Sequence, residues 1–457
     1  MSANAYLSCE PHSLDVTFNA RECNNNSTMR MHKNFRAFWV AIAVAVVTAA
    51  GLLIALNFSA GEKKINQQLP RLYSASDPQL MRAMGGLLGP GIVGGNQVQE
   101  LLNGDQIFPS MLQAIRSAKK TITFETYIYW SGNIGSQFAD ALAERARAGV
   151  KVHVLIDWVG SGKMDEALLK KIKDAGVDVR KFHKPVWYNF ARLNNRTHRK
   201  LLIVDGAVGF TGGVGIAPTW EGAAQDADHW RDSHFRVAGP VVAQMQTTFM
   251  DNWIKVSGQV LHGDAYFPQI QAAGQSAAQM FFSSPSSGSD NMALMYHLAL
   301  TAAEKSVDLS MAYFVPEDLS QQILMDAVRR GVRVRLITPG PITDTETVRA
   351  ASRQTWGPLL AAGLEIYEYQ PTMYHCKVMI VDNLMVSVGS TNFDSRSFRL
   401  NDEANLNIYD GAMATRQSAI FEEDLKRSRR VTFEEWTNRP LKEKAKGWIA
   451  SRLSSQL

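Results

Sequence analysis

Histidine and lysine one residue apart, with an aspartate five further on, occur twice in this chain: His198, Lys200 and Asp205 in THRKLLIVDG, and His375, Lys377 and Asp382 in YHCKVMIVDN. Each motif runs into an apolar, β-branched stretch (Leu201 to Val204, Val378 to Val381) whose composition predicts a buried strand. Side chains two apart on a strand share a face, so His198 and Lys200 point one way and Arg199 the other, and His375 and Lys377 likewise oppose Cys376. An imidazole beside a fixed ammonium suits phosphate chemistry. The lysine neutralises non-bridging oxygens while the histidine attacks phosphorus or moves a proton. Two copies place two of each around one phosphodiester. Asp205 and Asp382 end their strands before turn residues (Gly206, Asn383) and are counted with the catalytic motif in an orienting or salt-bridging capacity, not as attacking groups.

A single His-x-Lys beside an apolar strand is a common accident. Two copies with the same internal spacing, each followed by a glycine seven residues after its aspartate (Gly212, Gly389), are not. The repetition extends outward. AIRSAKKTITFETYIY (114–129) parallels TAAEKSVDLSMAYFV (301–315), and ALAERARAGVKVHVLID (141–157) parallels ILMDAVRRGVRVRLITP (323–339), each a helix closed by Gly149 or Gly331 and then a strand. LKKIKDAGVDVRKFHKP (169–185) parallels WGPLLAAGLEIYEYQP (356–371). Strands alternating with helices, twice over, predict two similar α/β halves with helix-flanked sheets and one shared active site where the motif strands meet.

On these residues the chain resembles the phospholipase D superfamily, and within it the bacterial cardiolipin synthases of the phospholipase D type, over roughly residues 95–430. The family pattern HxKxxxxDxxxxxxGSxxN runs through the second copy to Gly389, Ser390 and, one residue earlier than the idealised spacing, Asn392. The first copy has Gly213 and Gly215 in place of Ser390 and Asn392. The resemblance implies a phosphatidyltransferase that makes cardiolipin from phosphatidylglycerol and a second phospholipid, possible acceptors including phosphatidylethanolamine. It implies a phosphohistidine intermediate, with Ser390 and Asn392 binding substrate. No cofactor and no metal are expected, because Lys200 and Lys377 supply the fixed positive charge.

DSHFRV (232–237) matches EANLNI (403–408), which pairs Asp232 with Glu403 as acids opening a strand. Each is expected to accept a hydrogen bond from the motif histidine of its own half and to stabilise the imidazolium; the alternative is a solvated acid at a strand end. Glu125, Tyr127, Tyr129 and Trp130 end the first repeat strand near the expected cleft, as lining or as core. The stretch between the first motif and Asp232, with Trp220 and Trp230, has no counterpart in the second half and is expected to form a functional loop. Arg231 and Arg396 are candidate phosphate contacts or surface salt bridges. Cys376 is a packed thiol, and with Cys9 and Cys23 it is too scattered for a disulfide framework or a cysteine-rich metal site.

With 457 residues, 46% of them hydrophobic, the chain can bury two domain-sized cores, and a net charge of +5 allows an anionic partner without selecting one. The N-terminus selects it. Ala37 to Leu56 is free of charge over 20 residues, enough for a helix of about 30 Å and one bilayer crossing. A membrane partner is therefore expected, nucleic acid is not, and the location is the bacterial inner membrane in single-pass form. Basic residues before the span outweigh those after it slightly, which favours an extracytoplasmic catalytic region. The organisation expected is a disordered or basic segment (1–36, the first 28 residues disordered), the span (37–56), a linker that skims the membrane or packs on the enzyme (57–95), the two halves (96–262 and 263–430) and a helical tail (431–457). Two other classes fit the same residues: a hydrolase with water as acceptor, and a non-catalytic anionic-lipid-binding protein.

Overall fold

The motif strands are apolar along their whole length because both of their faces are covered. Leu201 and Ile203 enter one core together with Val378 and Ile380 of the other half, while Leu202 and Val204 enter a second core and Met379 and Val381 a third. Fully burying a side chain of this size contributes about 1.5–3 kcal/mol. The same period of two turns His198 and Lys200 away from Arg199, and Lys377 away from Cys376, which packs in the shared core.

These strands belong to a sheet of 15 in the computed structural model, which describes residues 20–58, 65–183, 194–284 and 290–452. From one edge inward the first half contributes Asp178–Phe182, Lys151–Asp157, Thr121–Thr126, Leu201–Val204, Val208–Gly212, Ser233–Ala238 and Val93–Leu102. The second half repeats that order with Glu365–Tyr369, Arg333–Pro339, Ser306–Met311, Lys377–Val381, Met385–Gly389, Glu403–Tyr409 and Ser276–Ser283, and Ser428–Val431 pairs outside it. The halves join where Val93–Leu102 runs antiparallel to Ser276–Ser283. In each half the three strands before the motif strand are parallel and the remainder antiparallel. Parallel neighbours need crossovers, and the helices Asn133–Arg147 and Asp318–Arg329 supply them. Gly149 (φ 88°) and Gly331 (φ 90°) follow these helices in the left-handed region, where a Cβ is penalised. The helices Val242–Ser257 and Gly411–Lys426 send Phe249, Trp253, Met413 and Phe421 into the core that the two halves share. The chain is thus the α/β duplication that its repeats predict.

Two compact units divide the chain, 1–56 and 57–457. The first holds most of one helix, Ala20–Phe58, in which His32–Leu53 is long and apolar enough to cross a membrane. Residues 20–28, expected to be disordered, are helical here: once an apolar span nucleates a helix, adding residues to its end is cheap. Residues 1–19 lie outside the described set. In the second unit, part of the expected linker is a packed helix, Pro78–Leu88, capped by the Asp77 carboxylate accepting from the Gln79 amide at 2.8 Å. Its Leu80, Met84 and Leu88 are buried in the second half's outer core, and Val93–Leu102 already belongs to the sheet. Past residue 431 the helices Phe433–Thr437 and Leu441–Ser451 follow.

Candidate active site

Each motif histidine sits just ahead of a buried strand, and the other half holds it there. The His198 amide donates to Asp402 O (2.9 Å) and the Asp402 amide to Arg196 O (2.8 Å). In the pseudo-symmetric position the His375 amide donates to Arg231 O (2.8 Å) and the Arg231 amide to Met373 O (3.0 Å). Two one-residue parallel bridges, Thr197 with Asp402 and Arg231 with Tyr374, thereby stitch the halves together beside the chemistry.

This stitching corrects the expected acid–histidine pairing. Glu403 lies one residue past the bridge to the first motif, and Asp232 one past the bridge to the second, so each carboxylate meets the histidine of the opposite half. Both Glu403 oxygens stand 3.0 Å from His198 Nδ1, and Asp232 Oδ2 stands 2.7 Å from His375 Nδ1. A carboxylate at Nδ1 fixes the proton on that nitrogen and leaves Nε2 with the lone pair. Lys200 Nζ donates to His198 O (2.7 Å) and Lys377 Nζ to His375 O (2.6 Å).

The acids are buttressed unequally. Ser390 Oγ donates to Glu403 (2.5 Å) and does not line the cavity, so the structure places it behind the carboxylate instead of against substrate. The first half has Gly213 there, where a Cβ would come within 2.2 Å of Asp232 Oδ1. Asp232 instead accepts from the Trp220 indole Nε1 at 3.0 Å. The second departure, Gly215, makes room for that indole: its Cβ would lie 2.7 Å from Ile128 Cβ and 3.1 Å from the Trp220 ring. Trp220 meets His375 edge-on and Trp230 at a tilt, with centroids 5.3 and 5.4 Å away, and Tyr127 lies 5.3 Å from His198.

Burial dominates the electrostatics. It pulls His198 down to about 4 although Glu403 pulls the other way, and it lowers His375 with help from Lys377. Burial also takes Lys200 down to about 7, partly offset by Glu403, and lowers Lys377. The same burial pushes Glu403 and Asp232 up, but His198 and Lys200 hold the first below its ordinary value, and His375 and Lys377 the second. At neutral pH the resting site therefore holds two carboxylates and two neutral imidazoles, and Lys200 is short of its usual charge. An incoming phosphodiester supplies the anion that favours protonation of all four basic groups.

A cavity of about 460 Å³ opens over both histidines and Lys200. Asn392 lines it, its backbone N–H donating to Ser397 Oγ at 3.2 Å and its buried Oδ1 lacking a hydrogen-bond partner among the described residues. Tyr127 and Trp130 reach the cavity; Tyr129 is core, its hydroxyl donating to Gly135 O (3.0 Å), and Glu125 is buried against Thr197 and Asn252, raised by desolvation to about 7. Arg396 lines the cavity, whereas Arg231 is buried in a bidentate pair with Asp424 (3.0 and 2.9 Å). Asp205 and Asp382 stand apart from it. Each accepts three backbone amides of a strand start, Lys119, Lys120 and Thr121 in one half and Glu304, Lys305 and Ser306 in the other; of the two roles expected this is the orienting one, and neither forms a salt bridge among the described residues. Sequence reasoning missed Lys163, Arg196, Tyr313 and Asp344 on the cavity wall. Arg196 carried a usable signal, since it lies two residues before His198. No group of three or more His, Cys, Asp or Glu side chains suited to a metal occurs among the described residues.

The family described as "Cardiolipin synthase, PLD-like domain" matches residues 111–253 and 297–425, one match for each half. The chain is 32% identical to the cardiolipin synthase of Alkalihalophilus pseudofirmus over 384 residues, 83% of this chain and 76% of that protein. It is 34% identical to cardiolipin synthase A of Pseudomonas syringae over 358 residues, 78% of this chain and 74% of the relative. Among solved structures, phosphatidylserine synthase of Haemophilus influenzae superposes with a TM-score of 0.63 at 15% identity, covering 83% of this chain and all of that one, a likeness of fold. Duplicated motifs, a shared cavity and relatives of near-equal extent together make this chain a member of the cardiolipin synthase family of phospholipase D-like enzymes.

Proposed function

We propose that the chain is a membrane-anchored phosphatidyltransferase that joins the phosphatidyl group of phosphatidylglycerol to a second phospholipid, making cardiolipin through a phosphohistidine. The observation that carries the reading is the pair of crossed histidine–carboxylate contacts facing one cavity. His198 Nε2 attacks phosphorus, the P–N bond forming as the P–O bond to the glycerol headgroup breaks, and protonated His375 gives its Nε2 proton to the departing oxygen. Neutral His375 then takes the proton of the acceptor hydroxyl, whose oxygen bonds phosphorus as the P–N bond breaks. Glu403 faces the cationic ring of phosphorylated His198, and Asp232 steadies His375 as it gains and loses its proton. Lys200 and Lys377 counter the non-bridging oxygens, assisted by Asn392. Asp205, Asp382 and Ser390 act on the framework: the aspartates tie strand starts together, and Ser390 orients Glu403. The 32–53 helix supplies the anchor in the inner membrane, with the enzyme on the extracytoplasmic side.

The test is incubation of the purified chain with vesicles of phosphatidylglycerol and mass spectrometry of the products. Cardiolipin and glycerol are expected; phosphatidic acid and glycerol would assign a hydrolase. His198→Ala and His375→Ala should each abolish most turnover, the double variant being little worse than either. Half-activity in each single variant would mean two independent sites.

A further inference from the structure

An amphipathic helix on a water-soluble surface turns its apolar side inward. The helix Leu441–Ser451 does the reverse. Its buried residues are the small Gly447 and Ala450, and Glu443 pairs inward with Arg353 at 2.7 Å. At 100° per residue, Leu441, Ala445, Trp448 and Ile449 fall on one outward stripe. Leu441 is 81% exposed, Trp448 55% and Ile449 61%. Lys442 and Lys446 flank the stripe on one side and Lys444 on the other, and the Arg452 guanidinium lies 4.7 Å over the Trp448 ring.

The position of this helix matters as much as its composition. It runs antiparallel to the helix Glu346–Ala362: Glu443 meets Arg353, a Cβ on Gly447 would lie 3.2 Å from Ala350 O, and Ala450 packs with Val348 and Ala351. Its Trp448 end therefore reaches the first turn of the 346–362 helix. That turn begins at Thr345, which with Asp344 and Tyr313 lines the active-site cavity, and Tyr313 packs against the same Ala450 cluster. The helix that carries the exposed apolar stripe thus packs, by its other face, against residues next to the cavity wall.

We propose that the outward face of the 441–451 helix is a docking surface for an anionic lipid bilayer, which brings the cavity mouth to the headgroup layer. The proposal rests on the phosphatidyltransferase reading for its substrate. The occupant follows from chemistry: a tryptophan and two aliphatic side chains ringed by lysines match the acyl–headgroup boundary of an anionic leaflet. Residues 441–452, the helix and its C-cap, carry four basic residues against one carboxylate, and Arg353 already engages that carboxylate.

The test uses the full chain reconstituted in vesicles of phosphatidylglycerol and phosphatidylcholine. With Cys9 and Cys23 replaced by Ser and an environment-sensitive dye on Ala445→Cys, brominated acyl chains should quench the dye, and Trp448→Ser with Ile449→Ser should abolish the quenching. The same double variant should lose at least ten-fold in turnover of vesicle phosphatidylglycerol while staying within two-fold of the parent on monomeric short-chain phosphatidylglycerol. An unquenched dye, parental turnover on vesicles, or an equal loss on both substrates overturns the proposal. So does a dimer that the double variant dissociates without any bromolipid effect in the parent, since that assigns the face to a second copy. If the parent makes no cardiolipin at all, the phosphatidyltransferase reading fails, and quenching, which needs no turnover, still decides the docking.

Discussion

Glu403→Gln isolates the crossed contact, because it keeps the side-chain volume and removes one charge. Glu403 is fully buried, faces His198 Nδ1 at 3.0 Å through both oxygens and accepts from Ser390. Removing one partner of a buried ion pair costs about 3–5 kcal/mol, and a charged hydrogen bond contributes about 1.5–3 kcal/mol of its own. In the proposed mechanism His198 becomes cationic only on phosphorylation, so most of the loss falls on the transition state. Taking about 3–4 kcal/mol gives a fall in kcat on the order of 10² to 10³. The pairing itself is read from thermal melts of Glu403→Gln, His198→Ala and the double variant, where a coupling of about 1–3 kcal/mol is expected. The matching cycle of Glu403 with His375 should show almost none. A less than ten-fold effect on kcat, or coupling to His375 in place of His198, refutes the crossed arrangement.

Three further outcomes follow from the packing. His234 is buried with both ring nitrogens unpartnered among the described residues, and burial takes it from 6.5 down to about 4. A depressed pKa means the fold holds the neutral ring, so this contribution is complete above about pH 6.5 and is lost as pH falls through about 4. Between pH 7 and 5 the parent should lose about 2 kcal/mol at this position, and His234→Asn, the residue type found at Asn405, should show a shallower fall in Tm; identical slopes would exclude His234 as the sensor. Asp382→Ala strands three amides and should lower stability by about 1–3 kcal/mol, seen as a lower Tm with kcat preserved well below the melt; a large fall in kcat there would return Asp382 to the chemistry. Gly213→Ser, which restores the family residue, should cut kcat by at least ten-fold by driving its Cβ into the Asp232 carboxylate, and parental kinetics would show that Asp232 can move without consequence.

The sequence carried the motif histidines and lysines because period-two alternation and the chemistry select the same positions. It carried the duplication because the strand order repeats element by element. It carried the identity of the two acids but not their partners: Glu403 and His198 are 205 residues apart, and which half an acid faces depends on bridges such as Thr197–Asp402 that no local pattern encodes. Arg231 and Arg396 looked alike for a similar reason, since the partner that removes Arg231 from the cavity, Asp424, lies 193 residues away. The Pro78–Leu88 helix is only half legible in the sequence. Its Leu80, Met84 and Leu88 keep helical spacing, but the glycines around them read more strongly as a linker. The motif points Ser390 at substrate because no local pattern says that Glu403 stands between it and His198.

The crossed contacts mean that neither half can arm its own histidine: each lends its acid to the other. Were the halves separate identical chains, the arrangement would close only as a symmetric pair, and any substitution would be made twice, once on each side of the axis. Joined in one polypeptide, the sides are free to become unlike. Trp220 supports one acid where Ser390 supports the other, and the first side carries Gly213 where a side chain would strike Asp232 and Gly215 where one would crowd the indole. The proposed reaction, whose two steps ask different things of two histidines, one to hold phosphorus and one to ferry a proton, gains from that freedom, because each side can be adjusted to its own task without spoiling its twin.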